Sequence, residues 1–301
     1  ESEASALEGF TLTGGIGTDT EKESLVGGGI CCLEGSRPTL RNLIVVFNAA
    51  TYGGALYCIN ASPTVEDSTL SWNSVTCGGG AYCDASSPVL IRCKISGNKG
   101  TYASSGVHSK NGSSPLLLGC TITGNTTYMG GGVDCFGSSP VLVNCVLAGN
   151  FARQGGALYA AGGSPVLQNC TVSGNSAEEG GGLYLSGSVS TLANCILWQN
   201  EPGSPPPVDS HCLVSQDPLF VNPGQYDFGR FKSLIIGGNQ GEMPDFVVEE
   251  PDLHVLPESP AIDAGSPDGS PEDDIEGNPR PTGRGVDIGA YERPPVLEAS
   301  F

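Results

Sequence analysis

Residues 155–179 read GGALYAAGGSPVLQNCTVSGNSAEE, and the segments on either side open in the same way, with GGGVDC from Gly130 and GGGLYL from Gly180. A unit recurring every 25 residues cannot bury its apolar side chains alone and must stack on its copies, which is the logic of a solenoid. Three columns hold the register. Asn recurs at Asn48, Asn73, Asn98, Asn125, Asn150, Asn175 and Asn200, in steps of 25 with a single step of 27. A second column reads Phe10, Leu43, Ser68, Cys93, Cys120, Cys145, Cys170, Cys195, and a third reads Pro38, Pro63, Pro88, Pro115, Pro140, Pro165.

The punctuation decides what each unit forms. Gly pairs, Ser-Pro and Gly-Asn recur every six to nine residues, which leaves no run long enough for a helical repeat, so the segments between are short strands. Three are expected per unit. In the first, Leu158 and Ala160 point inward and Tyr159 outward; the second spans 165–167 with Leu167 inward; the third spans 170–173 with Cys170 and Val172 inward. Leu167 and Cys170 are both apolar columns three residues apart, a spacing that a straight strand cannot place on one face. The chain must bend between them, and Asn42, Asn144, Asn169 and Asn194 recur at that bend because Asn tolerates a left-handed backbone.

With this bend, the GGALY, SSPVLVNC and SGN motifs and the Asn column, residues 5 to 212 resemble the right-handed parallel β-helix proteins, a superfamily that includes pectate lyases and many bacterial surface proteins. The resemblance implies an all-β parallel β-helix of about eight 25-residue, three-strand coils over residues 1–212, followed by an irregular C-terminal cap, 213–301. At about 4.8 Å per coil the rod is roughly 35 to 40 Å long. Composition agrees, since the 45 Gly and 22 Pro sit at repeat corners. A net charge of -19 with 15% charged residues argues against nucleic acid and anionic membranes, and no apolar run approaches the length of a membrane span. The opening Glu1-Ser2-Glu3 carries no signal peptide, which suggests a mature or trimmed form. Leu7, Phe10 and Leu12 already lie on inward columns, so the first coil leaves an unpaired sheet edge suited to a partner. The loop Ile16 to Val26, with Asp19, Glu21, Lys22 and Glu23, is the longest insertion between coils.

Of the 12 cysteines, Cys93, Cys120, Cys145, Cys170 and Cys195 share one inward column and Cys32, Cys58, Cys83 and Cys135 another. These columns also accept Phe, Leu and Ala, so the thiols read as small apolar fillers. Cys31, Cys77 and Cys212 sit off them and are the candidates for a disulfide. The outward column of the first strand reads Cys31, Tyr57, Tyr82, His108, Asp134, Tyr159, Tyr184, with Tyr52, Tyr102 and Tyr128 in the approach to those strands. Seven of nine tyrosines thus fall on one side of the rod. Such a strip suits a glycan, another copy of the chain, or mere self-stacking along the ladder. His108 and Asp134 interrupt it on adjacent coils, with Arg92, Lys94, Lys99, Lys110 and Arg153 as neighbouring cations, and are candidates for the base chemistry of a lyase. The outward column Lys94, Thr121, Val146, Thr171, Ile196 lacks the regular Thr array of an ice-binding surface.

Beyond Asn200 the repeat dissolves. His211 to Phe220 reads as a last strand pair, and the stretches LPESPAIDAG from Leu256, DIEGNPRP from Asp274 and VDIGAYE from Val286 resemble a C-terminal segment that follows β-helices in many exported bacterial proteins. It is suited to cover the last coil. Asp268, Asp273 and Asp274 within it are candidate Ca²⁺ ligands, against the alternative of solvated loop charge. Two functional classes follow. One is an exported structural or adhesive protein of the cell surface or extracellular matrix, contacting glycan or other copies of itself through the Tyr strip or the open N-terminal edge. The other is a polysaccharide lyase or glycoside hydrolase acting on an acidic glycan, which the short loops and few cations disfavour.

Overall fold

The computed structural model describes residues 5–19, 25–203, 211–214, 216–226, 228 and 247–293. Glu21, Lys22 and Glu23 of the long insertion lie outside the described residues. The described chain is all β, with no helix and hence none long and apolar enough to cross a membrane.

Each coil contributes to parallel sheets that run along the rod. Face 1 stacks seven strands from Ile30–Leu33 to Leu183–Ser186, face 2 stacks eight from Ala6–Glu8 to Thr191–Ala193, and face 3 stacks nine from Thr11–Thr13 to Leu213–Val214. Pairing is in strict register: Tyr57 lies beside Tyr82, Leu90 beside Val65 and Leu117, Ile95 beside Leu70 and Ile122. A fourth face is present where the sequence reads as loop. It comprises Ala49–Tyr52, Ser74–Cys77 and Lys99–Ala103, and continues upward as single bridges at Thr126, Met129, Phe151, Gln154, Ser176 and Glu179.

Inside, alternate residues of faces 1, 2 and 3 build one continuous core of Leu, Ile, Val, Ala and Cys. The bend between faces 2 and 3 is left-handed at Asn42, Asn144, Asn169 and Asn194, with φ of 49 to 52°, and Asp67, Arg92 and Gly119 take the same place on other coils. The internal Asn column closes the next corner. Each Asn Oδ1 accepts from the backbone N–H and the Nδ2 of the Asn one coil below, from Asn48 with Asn73 at 3.0 and 3.1 Å up to Asn175 with Asn200 at 3.1 and 2.9 Å. Each Nδ2 also donates to a face 3 carbonyl of the coil beneath, as Asn98 does to Leu70 at 2.9 Å. A buried amide left without such bonds costs about 1–3 kcal/mol, so the ladder holds the stacking register as well as the corner.

The C-terminal segment lies against the side of the rod rather than across its end. Leu213–Val214 adds one strand to the top of face 3. Phe220–Asn222 does not pair with it but runs antiparallel to Asp252–Val255. Phe220, Leu253, Val255, Ala261, Ile288 and Ala290 pack on Val146, Ala148, Ile196 and Leu213 of face 3. Residues 266–275 then descend along the bend ridge, where Asn194 Nδ2 donates to Ser266 O at 2.8 Å, Gln168 to Gly269 O, and Asn144 to Asp273 O at 2.6 Å. Two of the bend asparagines, Asn144 and Asn194, therefore both turn the chain and hold this segment.

Candidate functional site

The outward file of face 1 is aligned as expected, but it is covered. Ring centroids follow one another as Tyr57–Tyr82 at 5.2 Å, Tyr82–His108 at 4.9 Å, His108–Phe136 at 5.9 Å, Phe136–Tyr159 at 5.4 Å and Tyr159–Tyr184 at 5.5 Å. Phe136, two residues beyond Asp134, bridges the gap that the small carboxylate leaves. The last residues of the face 4 strands fold onto this file: Tyr52 meets Tyr82 at 5.2 Å, and Cys77, Ala103 and Met129 complete the layer. Tyr57, Tyr82 and Tyr159 are consequently only 2%, 1% and 8% exposed, which corrects the expectation of an open strip. Tyr102 is exposed, and Tyr52, Tyr128 and Tyr184 are half-buried.

His108 and Asp134 do meet, with Nδ1 and Oδ1 2.6 Å apart, and Asp134 is fully buried. Burial pushes the Asp134 carboxyl above its usual range, against the pull of His108. Both faces of the imidazole are occupied by Tyr82 and Phe136. Of the expected cations, Lys110 stays beside the file and three others are placed elsewhere. Arg92 is bonded to Asp67 at 2.7 Å on the bend ridge, Lys94 points out from face 3, Arg153 pairs with Glu178 and Tyr128, and Lys110 pairs with Asp84 at 3.1 Å while lying over the Tyr82 ring. A lyase base must reach a proton on bound substrate. A pair roofed by aromatic rings offers little room for that.

No disulfide joins any of the twelve cysteines. Cys93, Cys120, Cys145, Cys170 and Cys195 form a buried file in which each thiol donates to a carbonyl of the coil beneath, at 3.4 or 3.5 Å. Cys212 extends this file, which corrects its placement off the column, because Leu213 pairs with Ile196 and so sets Cys212 over Cys195. Cys77 is buried beside the tyrosine layer and Cys31 is exposed.

The acidic groups of the C-terminal segment are turned onto its own backbone. Asp274 accepts from Glu276 N and Asn278 N through Oδ1, and from Glu292 N and Asn278 Nδ2 through Oδ2. Asp287 accepts from Asp263 N and Arg293 N, and Arg280 is enclosed between Glu292 at 3.3 Å and the carbonyls of Asp287 and Gly289. Asp268 and Asp273 do not converge with Asp274 on a common point, and the described residues contain no group of three or more His, Cys, Asp or Glu able to hold a metal ion.

The most open apolar surface lies elsewhere. Among the described residues, seven of eleven exposed large apolar side chains fall between positions 10 and 72: Phe10, Ile16, Leu25, Leu33, Ile44, Phe47 and Trp72. Phe10, expected to point inward, is 55% exposed because it lies on the lowest coil, while Leu43 one coil higher on the same column is buried. Phe47 and Trp72 occupy successive left-handed corners between faces 3 and 4 and are missed by the column reading, since Gly fills that column at Gly97, Gly124, Gly149 and Gly174. A bulky aromatic in a column of corner glycines is the available signal.

Comparisons with known proteins bear on the fold. Residues 27–197, more than half of the chain, match a family model described as the right-handed β-helix region. A structure search returns a crystal structure of pectate lyase Pel9A, at 12% identity and a TM-score of 0.46, covering 96% of this chain and 88% of that one. No curated protein matches the sequence. The repeat, the in-register stacking of its coils and the family match agree: the chain belongs to the right-handed β-helix family.

Proposed function

We propose that this protein is an exported structural or adhesive rod of the cell surface or extracellular matrix, whose contact surface is the apolar flank of its first three coils. The observation that carries this reading is the gathering of Phe10, Ile44, Phe47 and Trp72 on coils that no other described segment covers. Arg41 and Arg92 beside that flank are engaged, with Glu66 and Asp67, and Lys94 is exposed on face 3. A surface dominated by exposed apolar side chains, with few available cations, fits another protein better than an acidic glycan.

The lowest described strands of faces 1, 2 and 3, Ile30–Leu33, Ala6–Glu8 and Thr11–Thr13, are edge strands beside this flank, which suits a second copy of the chain as the occupant. Sedimentation velocity over a concentration series tests this. The parent chain is expected to form larger species, and the double variant Phe47→Asp, Trp72→Asp to stay monomeric while keeping its β-sheet circular dichroism. A strictly monomeric parent at high concentration would sink the reading. Unsaturated products from a uronic acid polymer, lost in His108→Ala, would favour the lyase alternative instead.

A further inference from the structure

The file of stacked thiols has one accessible end. Cys93, Cys120, Cys145, Cys170 and Cys195 are at most 1% exposed, whereas Cys212 at the top is half-buried. Leu213 and Ile196 are paired in register on neighbouring parallel strands, so the residues before them, Cys212 and Cys195, face each other one coil apart. Such Cα atoms lie about 4.8 Å apart, inside the range that a disulfide spans. Cys212 Sγ sits 3.4 Å from the Cys195 amide nitrogen, from which it accepts a hydrogen bond.

We propose that Cys195 and Cys212 are a disulfide-forming pair that ties the uppermost strand of face 3 to the coil beneath it. The co-reactant is a low-molecular-weight disulfide such as oxidised glutathione. Cys212 thiolate attacks one sulfur of that disulfide, forming a mixed disulfide and releasing one glutathione thiolate. Cys195 thiolate then attacks the Cys212 sulfur, which forms the Cys195–Cys212 bond and expels the second glutathione thiolate. The two cysteine protons end on the two glutathione molecules, and the two electrons lost by the cysteines reduce the glutathione disulfide.

Position selects this pair over others in the file. An oxidant in solvent meets Cys212 first, and the partner that can resolve the mixed disulfide is Cys195 directly beneath. Bridging costs the weak thiol bonds to Leu167, Ala193 and Leu192 carbonyls, at 3.2 to 3.5 Å. It closes a loop of sequence from 195 to 212. Burial and the neighbouring thiols push the Cys195 thiol well up. Closure should therefore accelerate about tenfold per pH unit while that thiol remains mostly protonated.

The test uses the full chain with Cys31→Ser, which removes the exposed thiol of face 1. The folded protein is incubated with oxidised glutathione, quenched with acid, unfolded, alkylated and digested with a protease that cleaves after both Glu and Asp. Cleavage after Glu179, Asp209 and Asp227, with Glu201 and Asp217 each protected by a following proline, places Cys195 and Cys212 alone on the peptides 180–209 and 210–227. The expected result is that these two peptides are recovered disulfide-linked, with two of the eleven thiols protected, and that Cys212→Ser abolishes the link. In Cys195→Ser, which lacks the resolving thiol, the glutathione adduct on Cys212 should persist. A stable adduct on Cys212 in the presence of Cys195, a link between any other pair, or no reaction would each overturn the proposal.

Discussion

Face 3 and the corner beyond it present two different surfaces on one regular repeat. On the upper coils Val146, Ala148 and Ile196 are sealed beneath Phe220, Leu253, Val255, Ile288 and Ala290. On the lower coils the corresponding outward column exposes Ile44, and the corner column exposes Phe47 and Trp72. The corner shows the contrast most directly. At Gly149 and Gly174 the missing side chains make room for the ring of Tyr226, and a Cβ on Gly174 would come within 2.6 Å of it. On the lower coils the repeat supplies its own aromatic groups: Trp72 lays its ring over Gly97 and stays 39% exposed, and Phe47 is 66% exposed. A solenoid with identical internal chemistry along its length can thus divide its outer surface into a part that binds its own C-terminal segment and a part left open.

The largest way to break this comparison is to release the cover. Arg280 and Glu292 are a buried ion pair with no side-chain exposure, and breaking such a pair by removing one partner costs about 3–5 kcal/mol. Arg280→Met should detach the C-terminal segment and make the upper coils resemble the lower ones. The chain has two tryptophans, Trp198 packed under the cover and Trp72 in the open region, so emission of Trp198 in a Trp72→Phe background reports the event. A red shift at a denaturant concentration where the β-sheet circular dichroism is intact is expected. Loss of both signals together would mean that cover and coils unfold as one.

A smaller effect separates the two roles of the bend asparagines. Asn194 accepts from Ser266 N and donates to Ser266 O, both at 2.8 Å, whereas Asn42 on the open ridge meets only Glu8, at 3.2 Å. Glycine keeps the left-handed backbone at either site but has no side chain to bond. Asn194→Gly should weaken attachment of the cover by about 1–2 kcal/mol. Asn42→Gly should change stability by about 0.5 kcal/mol or less. Equal losses at both positions, read from denaturant titrations of Trp198 emission, would assign the column to bending alone.

Sequence periodicity exposes the parts of this molecule that repeat and conceals those that do not. Asn98, Cys145 and Leu167 can be placed because each recurs on neighbouring coils in the same environment. The burial of Tyr57 and Tyr82 cannot, since it depends on face 4, whose strands Ala49–Tyr52 and Ser74–Cys77 show no clean alternation of apolar residues. Phe136 filling the gap beside Asp134 is likewise a contact between neighbouring columns, invisible when columns are read one at a time. The C-terminal segment is recognisable by its motifs, but its seat is not, because Asn144, Gln168 and Asn194 bond it from positions that already have a structural explanation.

The smallest test concerns the edge of the cover. His254 stacks on Tyr291 at 4.3 Å and contacts Asp252 at 2.6 Å and Glu276 at 3.1 Å. Partial burial pulls its pKa down, but the bonds to Asp252 and Glu276 more than offset this and carry it above the ordinary 6.5. A histidine whose folded pKa is raised adds stability that is fully present below 6.5 and is lost as pH rises through the folded value. The imidazole and both carboxylates are close to half exposed, so solvent screening limits the contribution to about 0.5 kcal/mol or less. The cover should therefore loosen slightly as pH rises from 6.5 through the raised folded pKa, seen as faster hydrogen exchange at Leu253 and Ile288, while the open coils around Ile44 do not respond. His254→Gln should flatten that dependence, because a glutamine side chain has no charge to lose. A pH response that survives the substitution would move its origin to the buried carboxyls of Asp287 and Glu292, which burial raises and which would then control the seat of the cover.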